Sequence, residues 1–545
     1  MDQSLADREV YAYIGPRPPL QLEADLSFLV FVPDTFQVEG PVVRAELFWC
    51  GVDRIPTHFA STLLVLADEP KTASVEASQI ERVISFADLQ KMLGSCVTFI
   101  ARRRSYRELI EIAGVELAKR LLTKANDAAA LQAFVPKSRV LQRLRASGLL
   151  QKMLVTDEDQ FSFLSLRKIF AETDEARDFP PEIASLSARL SIDGGRSEFT
   201  FVADFDEVLR EAQPVTAVIG ANGVGKTRLL LALADAALRG RLEVKSGWQE
   251  SPWEPIRSAE LLSFTYEPSS WLRQRRAGAH VIALGVGARE WKRLCTLLQQ
   301  LAISDSAEFQ VNAYARVIAD VVQPDHLLIP IARGANHPAI RQIGYQRYIP
   351  LAALVERVPR ILLGQLETNK EVIAWSSELG RYSLSSGQRS LLLLVAQLFL
   401  YGERALVLID EPENHLHPQY VTLLMQTLQS TLIAMESRAV IVTHSPFVVR
   451  ELDKTAVQIL GRDTEAIPCI FQTSLQTLGA DVGRISEYVF ADYEVRKGYE
   501  RRIDRVLAAG RTTSPTELEQ TVVSSLGDDA QLYLYRALDG LKRAD

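Results

Sequence analysis

The sequence predicts an α/β fold built on a parallel sheet, and three short stretches carry that prediction. Val215–Ile219 is an apolar run of buried-strand length that enters the glycine-rich turn GANGVGKT at 220–227, which in turn opens the apolar helical stretch Arg228–Leu238. A second apolar strand pattern, LVLIDEPE at 406–413, ends in the adjacent carboxylates Asp410 and Glu411. A third, Ala439–Val442, runs into VTHSP at 442–446. Short buried strands alternating with helical stretches are the pattern of strands whose faces are both covered.

Size and charge narrow the class. The chain has 545 residues, 47% apolar and 24% charged, which suits a globular protein with two or three cores. The longest apolar helical stretch, Ser390–Leu400, falls short of the roughly 18 residues that a spanning helix needs, and the acidic start MDQSLADREVYAY lacks the layout of a signal peptide. These features predict a cytoplasmic protein with no membrane partner. Cys50, Cys96, Cys295 and Cys469 form no C-x-x-C pair, so they are expected to be reduced packing residues. A net charge of −7 gives no whole-molecule attraction to nucleic acid; any contact with DNA or RNA must use a local basic patch.

Along the chain, strand-like pieces at Phe28–Val32, Val42–Trp49 and Thr62–Leu66 precede a helix signalled by Ser105 and Glu108, spaced as a capping box. Residues 1–172 therefore read as a smaller α/β or α+β domain of unknown role. It contains LLVLADEP at 63–70, a strand-and-carboxylate look-alike that no glycine loop precedes, read as a turn after a buried strand. The acidic, doubly proline-broken stretch 172–182 marks a boundary. A hairpin pattern follows, Ala188–Ile192 and Glu198–Val202 about a turn at Asp193-Gly194-Gly195. The core domain spans 183–450, with an inserted, largely helical lobe at about 240–380 that includes a helix near Glu290–Leu301. Residues 451–545 read as a mainly helical extension, with helical patterns at Tyr499–Leu507 and Asp529–Leu541.

The chemistry lies in four motifs. In GANGVGKT, Gly220, Asn222, Gly223 and Gly225 let consecutive backbone N–H groups wrap phosphate oxygens at a helix N-terminus, with Arg228 just inside the helix. Lys226 is expected to reach the β- and γ-phosphates of ATP and Thr227 to coordinate Mg²⁺. Asp410 fits an Mg²⁺ ligand, usually through water, and Glu411 a general base polarising the attacking water. Glu413 reads as a supporting or surface group. LSSGQ at 384–388, with Ser385, Ser386, Gly387 and Gln388, opens the helix Ser390–Leu400 and offers another phosphate-accepting helix start. His444 stands where a ring N–H could touch the γ-phosphate.

Together these motifs resemble those of ABC-type ATPase heads in the SMC, RecF and OLD group, over roughly residues 185–450. The resemblance implies that two heads sandwich two ATPs in a homodimer or higher even oligomer. Ser385 and Gly387 then contact γ-phosphate in trans, and His444 is the switch histidine. Ser386 stands where the commonest signature has glycine, and Gln274 is the best candidate for the Q-loop residue near the metal. The wording DEPENHLHP at 410–418 looks like bacterial OLD-like and anti-phage defence ATPases rather than transporter ATPases, and SLQTLGADVGRISEYVF at 474–490 is similar to the PtuA ATPases of Septu and retron-associated systems. PtuA proteins usually start close to their glycine loop, whereas here some 200 residues precede it. His415 and His417 read as a subunit-contact loop, since no further His/Cys cluster supports a metal.

The expected function is an ATP-hydrolysing switch that dimerises around nucleotide and controls a nuclease effector in defence or restriction. A RecF-like DNA-repair clamp, an ATPase carrying its own nuclease, and, further off, a transporter nucleotide-binding subunit are the alternatives. Basic clusters at Arg102–Arg104, Lys137–Arg145, Arg273–Arg276 and Arg496–Arg505 are candidate phosphate-backbone contacts if they converge in space.

Overall fold

A computed structural model describes residues 10–15, 17–21, 27–33, 42–51, 55–66, 83–93, 95–174, 183–193, 196–205, 207–208, 211–246, 253–256, 261–284, 288–303, 307–355, 364–414, 416–462, 467–490, 498–509, 530–531 and 533–535. Its centre is a seven-stranded sheet in the order His280–Ala283, Leu261–Thr265, Leu406–Asp410, Arg438–Thr443, Val215–Ile219, Val457–Arg462, Pro468–Gln472. All neighbours run parallel except the last pair. The inner strands are apolar on both faces because both are covered. Val407, Ile409, Ala439 and Ile441 enter one core, and Leu406, Leu408, Val440 and Val442 the other. The period-2 alternation of side chains across a strand sorts them.

The first of these cores packs helices Ala288–Ile303, Ala307–Val317, Ser386–Tyr401 and Pro418–Ala434 on the sheet. The second packs helix Lys226–Leu238 between the sheet and a smaller antiparallel sheet of Ile183–Leu190, Phe199–Asp204, Leu242–Ser246 and Glu254–Pro255. The expected hairpin is present, pairing Leu190 with Phe199 and Ser185 with Asp204; Gly194 and Gly195 of its turn lie outside the described residues.

Three sequence expectations change. The inserted lobe is not mainly helical: alongside its helices it holds a five-stranded sheet of Leu327–Ile331, Arg341–Ile343, Gln346–Pro350, Ile373–Ser376 and Gly380–Tyr382. The stretch 240–380 also returns two strands, Leu261–Thr265 and His280–Ala283, to the central sheet. The extension after 450 begins as two further strands of that sheet before helices Val482–Phe490 and Gly498–Ala509; most of 529–541 lies outside the described residues. The Ser105–Glu108 capping box does not form. The helix starts three residues earlier than that box requires, at Arg103, with no side-chain cap, and Glu108 pairs with Arg104 instead (2.8 Å). The adjacent guanidinium outcompetes a backbone amide for that carboxylate.

The N-terminal domain is α+β, a six-stranded sheet followed by helices. The look-alike 63–70 begins as the end of its strand Pro56–Leu66, with 67–70 outside the described residues. Helix Asp157–Asp174 joins the domains: Phe161 belongs to the core of the seven-stranded sheet, whereas Phe163, Leu166, Ile169 and Phe170 belong to the N-terminal core. Charged groups seal the joint. Arg103 donates to the carbonyls of Ile433 and Ala434, at the C-terminal end of helix Pro418–Ala434. Arg107 forks onto Glu436 at 2.6 and 2.7 Å, and Arg404 reaches both Glu436 (3.0 Å) and Glu172 (3.3 Å). Burial alone raises the Glu436 carboxyl, but Arg107, Arg103 and Arg404 outweigh it and hold the group well below the usual carboxylate range. Of the Arg102–Arg104 cluster, the buried Arg103 is therefore spent on an interdomain clamp rather than offered to nucleic acid, while Arg104 pairs within its own helix.

Candidate nucleotide site

Every catalytic candidate sits at the C-terminal edge of three adjacent strands, the position where parallel sheets present ligand-binding groups. Val215–Ile219 delivers the glycine loop, Leu406–Asp410 the carboxylates, and Arg438–Thr443 the histidine. Gly220 passes so close to the neighbouring strand that a Cβ there would lie 2.5 Å from the Leu460 carbonyl oxygen. Gly225 has φ +116°, a backbone conformation that side chains disfavour, and leads directly into helix Lys226–Leu238. Ala221, Asn222 and Gly223 are exposed around the loop, as is Arg228 beyond it.

Lys226 is buried, with Nζ donating to the carbonyls of Gly220 (3.0 Å) and Ala221 (3.3 Å) and lying 3.9 Å from Glu411. Burial pulls its pKa down, while Glu411, Glu413 and Asp410 pull it back up. The ammonium is therefore folded over the loop by bonds that a phosphate can replace. The Thr227 hydroxyl donates to Asp410 Oδ1 at 3.2 Å. Burial raises the Asp410 carboxyl to about 6, opposed by the Thr227 bond and assisted by Glu411 and Glu267.

Glu411 adopts φ +46°, rare for a side-chain-bearing residue. Its N–H donates to the Val442 carbonyl at 2.9 Å, and its carboxylate accepts from Asn414 Nδ2 at 2.8 Å. The left-handed turn swings the side chain back across the strand ends, where Oε1 stands 3.2 Å from His444 Nδ1. Glu413 is not a surface group: it is buried, accepts a hydrogen bond from Thr443, and lies 3.8 Å from His444. Burial raises its pKa, with the Thr443 bond acting against it.

The LSSGQ serines build a helix start. Ser385 caps helix Ser386–Tyr401, accepting from Gln388 N–H at 3.1 Å, while Gln388 Oε1 accepts from Ser385 N–H at 3.0 Å. Gln388 Nε2 is spent on the Val321 carbonyl (3.0 Å), so the structure gives Gln388 a scaffolding position instead of a ligand position. A Cβ on Gly387 would meet Leu416 at 3.1 Å, so this glycine lets the helix approach the loop after Glu413. Ser386 is exposed at the tip and Ser385 half-exposed.

Gln274 departs from its expected place near the metal. It is buried, and its amide donates to Asp235 at 3.1 Å. Asp235 lies eight residues along the helix from Thr227, about 12 Å at 1.5 Å per residue. The group that does reach Asp410 electrostatically is Glu267, just past the end of the neighbouring strand Leu261–Thr265. The Q-loop pattern does not mark this position, which holds glutamate in place of glutamine; the strand-ending FTYEP is the signal the sequence offers. Tyr266 beside it donates to the Asn414 carbonyl (2.8 Å), tying this strand end to the Glu411 turn. His417 caps helix Pro418–Ala434 by accepting from Gln419 N–H (3.4 Å), and His415 lies outside the described residues.

The donors fit Mg²⁺ and a polyphosphate. Thr227 and Asp410 carry adjacent hard oxygens of the kind Mg²⁺ selects. Among the described residues no group of three His, Cys, Asp or Glu offers a self-sufficient metal cage.

This strand order brings a lysine, paired carboxylates and a histidine together at one edge of a parallel sheet, beside a glycine loop that opens a helix, an arrangement suited to holding a polyphosphate. Residues 378–450 match the family described as "AAA domain, putative AbiEii toxin, Type IV TA system". The chain is 33% identical over 144 residues to Protein ea59 of Escherichia phage lambda, a match spanning 26% of this chain and 27% of that protein. Among solved structures it is similar to the ATP-binding cassette MJ1267 of an ABC transporter in its ADP conformation (14% identity, 58% of this chain and 97% of that one, TM-score 0.28). It is also similar to the SMC head domain from Thermotoga maritima (12% identity, 54% and 100%, TM-score 0.28). No helix among the described residues is long and apolar enough to cross a membrane.

Proposed function

We propose that this protein binds ATP with Mg²⁺ and hydrolyses it, and that two copies close around two nucleotides to control a partner protein, a nuclease effector in anti-phage defence. The observation that carries the hydrolytic reading is the position of Glu411. Its turn places the carboxylate within reach of both Lys226 and His444 at the end of the strand that presents Asp410. The residues divide the work. The loop amides and Lys226 hold the phosphates, Thr227 and Asp410 hold the metal, and Glu411 accepts a proton from the attacking water. His444 stands ready to donate to the terminal phosphate, and the buried Glu413 supports it from behind. Bound Mg²⁺ supplies charge neutralisation on the phosphate oxygens.

The sandwich is supported by the helix start at Ser385 and Ser386, half-exposed and exposed respectively, and so open to a second molecule. Swinging a two-state assembly from 1:99 to 99:1 takes about 5.5 kcal/mol of differential binding, within reach of two shared nucleotides. The DNA-clamp reading draws on one feature: Lys137, Arg139, Arg143 and Arg145 are exposed at and just before one helix.

Glu411→Gln tests the core of the proposal. Turnover is expected to fall by about 10²–10⁴-fold, the usual worth of a general base, while an ATP-dependent dimer persists in size-exclusion chromatography. Unchanged turnover removes Glu411 from the chemistry. Co-purification of a nuclease chain supports the effector reading, and of DNA alone the clamp.

A further inference from the structure

The left-handed turn that carries Glu411 is held from several sides, and one of its own side chains reaches the carboxylate. A glutamate at φ +46° is strained, and such a conformation persists only where its surroundings over-determine it. Hydrogen bonds do so here. The Glu411 N–H donates to the Val442 carbonyl at 2.9 Å, the Asn414 N–H donates back to the Glu411 carbonyl at 3.1 Å, and the Leu416 N–H donates to the Glu413 carbonyl at 2.9 Å. Thr443 donates to the buried Glu413 carboxylate, and the Tyr266 hydroxyl donates to the Asn414 carbonyl at 2.8 Å.

Asn414 is thus fixed on both sides of its backbone: its N–H is tied to its own turn and its carbonyl to the end of strand Leu261–Thr265. From that anchored backbone, Nδ2 donates to Glu411 Oε2 at 2.8 Å. The bond makes the two carboxylate oxygens unequal. Oε2 is taken by Asn414, while Oε1 stands 3.2 Å from His444 Nδ1 and 3.9 Å from Lys226 Nζ. The terminal torsion of a glutamate is broad and two-fold, so a donor held against one oxygen is what selects the other for the side facing Lys226 and His444. Among the described residues, the hydrogen bonds of Asn414 run to Glu411 and Tyr266, not to the glycine loop, Thr227 or Asp410.

We infer that Asn414 is a positioning residue for hydrolysis: it holds Glu411 Oε2 so that Oε1 is the oxygen turned to the attacking water, and Tyr266 holds Asn414 in place. The inference rests on the reading of Glu411 as the base. It gives a task to the asparagine of DEPENHLHP, which the motif chemistry leaves unassigned.

Steady-state and single-turnover ATP hydrolysis by the full-length chain test it. Asn414→Ala is expected to lower kcat by about tenfold or more, towards the roughly hundredfold cost of a catalytic group displaced by an ångström. KM for ATP is expected to stay unchanged, because the lost interaction serves the chemical step and not binding. Asn414→Asp keeps the shape, removes the donor and sets a like charge against Glu411, so it is expected to be at least as slow. In a Glu411→Gln background, Asn414→Ala is expected to change the residual rate by less than about twofold, since it acts through the missing carboxylate. Tyr266→Phe is expected to lower kcat by about two- to tenfold, the worth of one hydrogen bond, and to add nothing once Asn414 is alanine. Thermal unfolding confirms that each variant is folded. The positioning role is overturned if Asn414→Asp hydrolyses ATP like the parent, if Asn414→Ala acts on KM rather than kcat, or if it costs the same factor with and without the Glu411 carboxylate. Losses from Tyr266→Phe and Asn414→Ala that simply multiply overturn the part given to Tyr266. Failure of the underlying reading looks different: Glu411→Gln alone then turns over like the parent.

Discussion

Asp410 shows how one burial changes both chemistry and stability. A carboxyl raised from its ordinary value to about 6 is half-protonated near that pH, and only the ionised form is a good magnesium ligand. Since the folded value lies above the unfolded one, the group's contribution to stability is full below about pH 4 and is lost as pH rises through about 6. Mg²⁺ reverses that loss by stabilising the anion. Magnesium titrations of ATPase activity are therefore expected to need about tenfold more metal for each pH unit below 6 and to become pH-independent above about 7. A magnesium requirement that is flat from pH 5 to 8 would show that Asp410 is not the ligand. The identities of Lys226, Thr227, Asp410 and Glu411 were legible in the sequence because each follows directly on a strand or loop of recognisable pattern. The left-handed turn at Glu411 was not, since positive φ for glutamate is enforced by a hydrogen bond to Val442 on another strand.

At the scale of elements, the joint between helix Arg103–Ala113 and the loop 435–437 with the helix end before it governs how the N-terminal domain is held. Glu436 is buried among Arg103, Arg107 and Arg404, and removing one cation leaves a desolvated charge short of partners. Arg107→Ala is expected to destabilise the chain by about 3–5 kcal/mol, measured by denaturant unfolding. Adding Glu436→Gln should recover part of the loss, because the orphaned charge is then gone. If the double variant is no more stable than Arg107→Ala alone, the network is not acting through Glu436. The clamp also bears on the active end. Arg404 and Glu436 stand just before strands Leu406–Asp410 and Arg438–Thr443, whose other ends present Asp410 and, one residue on, His444. None of this was readable from Arg102–Arg104 as a sequence cluster. A run of arginines is the same string whether it faces solvent, phosphate or the C-terminus of a helix from elsewhere in the chain.

Across the whole molecule, the proposed sandwich predicts complementation. Lys226→Ala disables a subunit's own phosphate loop and Ser385→Ala the contact it offers a partner, so each variant alone should be inactive. A mixture is expected to regain activity, because a heterodimer reunites one intact loop with one intact serine. Mixing ratios followed by phosphate release check this; no recovery at any ratio sinks the composite site. The Ser385→Ala arm carries its own control, since loss of the cap costs about 1 kcal/mol of helix stability, visible in unfolding experiments.

The sequence by itself determined the local chemistry: a parallel α/β core, a glycine-rich loop, a carboxylate pair and a histidine, each at the end of a short apolar strand. These are signals of spacing and residue type, which short-range sterics and hydrogen bonding translate directly into strand, turn and helix. Tertiary structure alone decided which strands adjoin, and so that Glu267 lies near Asp410 while Gln274 serves Asp235. It also decided that Gln388 braces a helix, that residues after 450 complete the sheet, and that the N-terminal domain is locked on by arginines. Those outcomes depend on contacts between residues far apart in the chain, where burial and charge pairing set the result and local pattern carries no information.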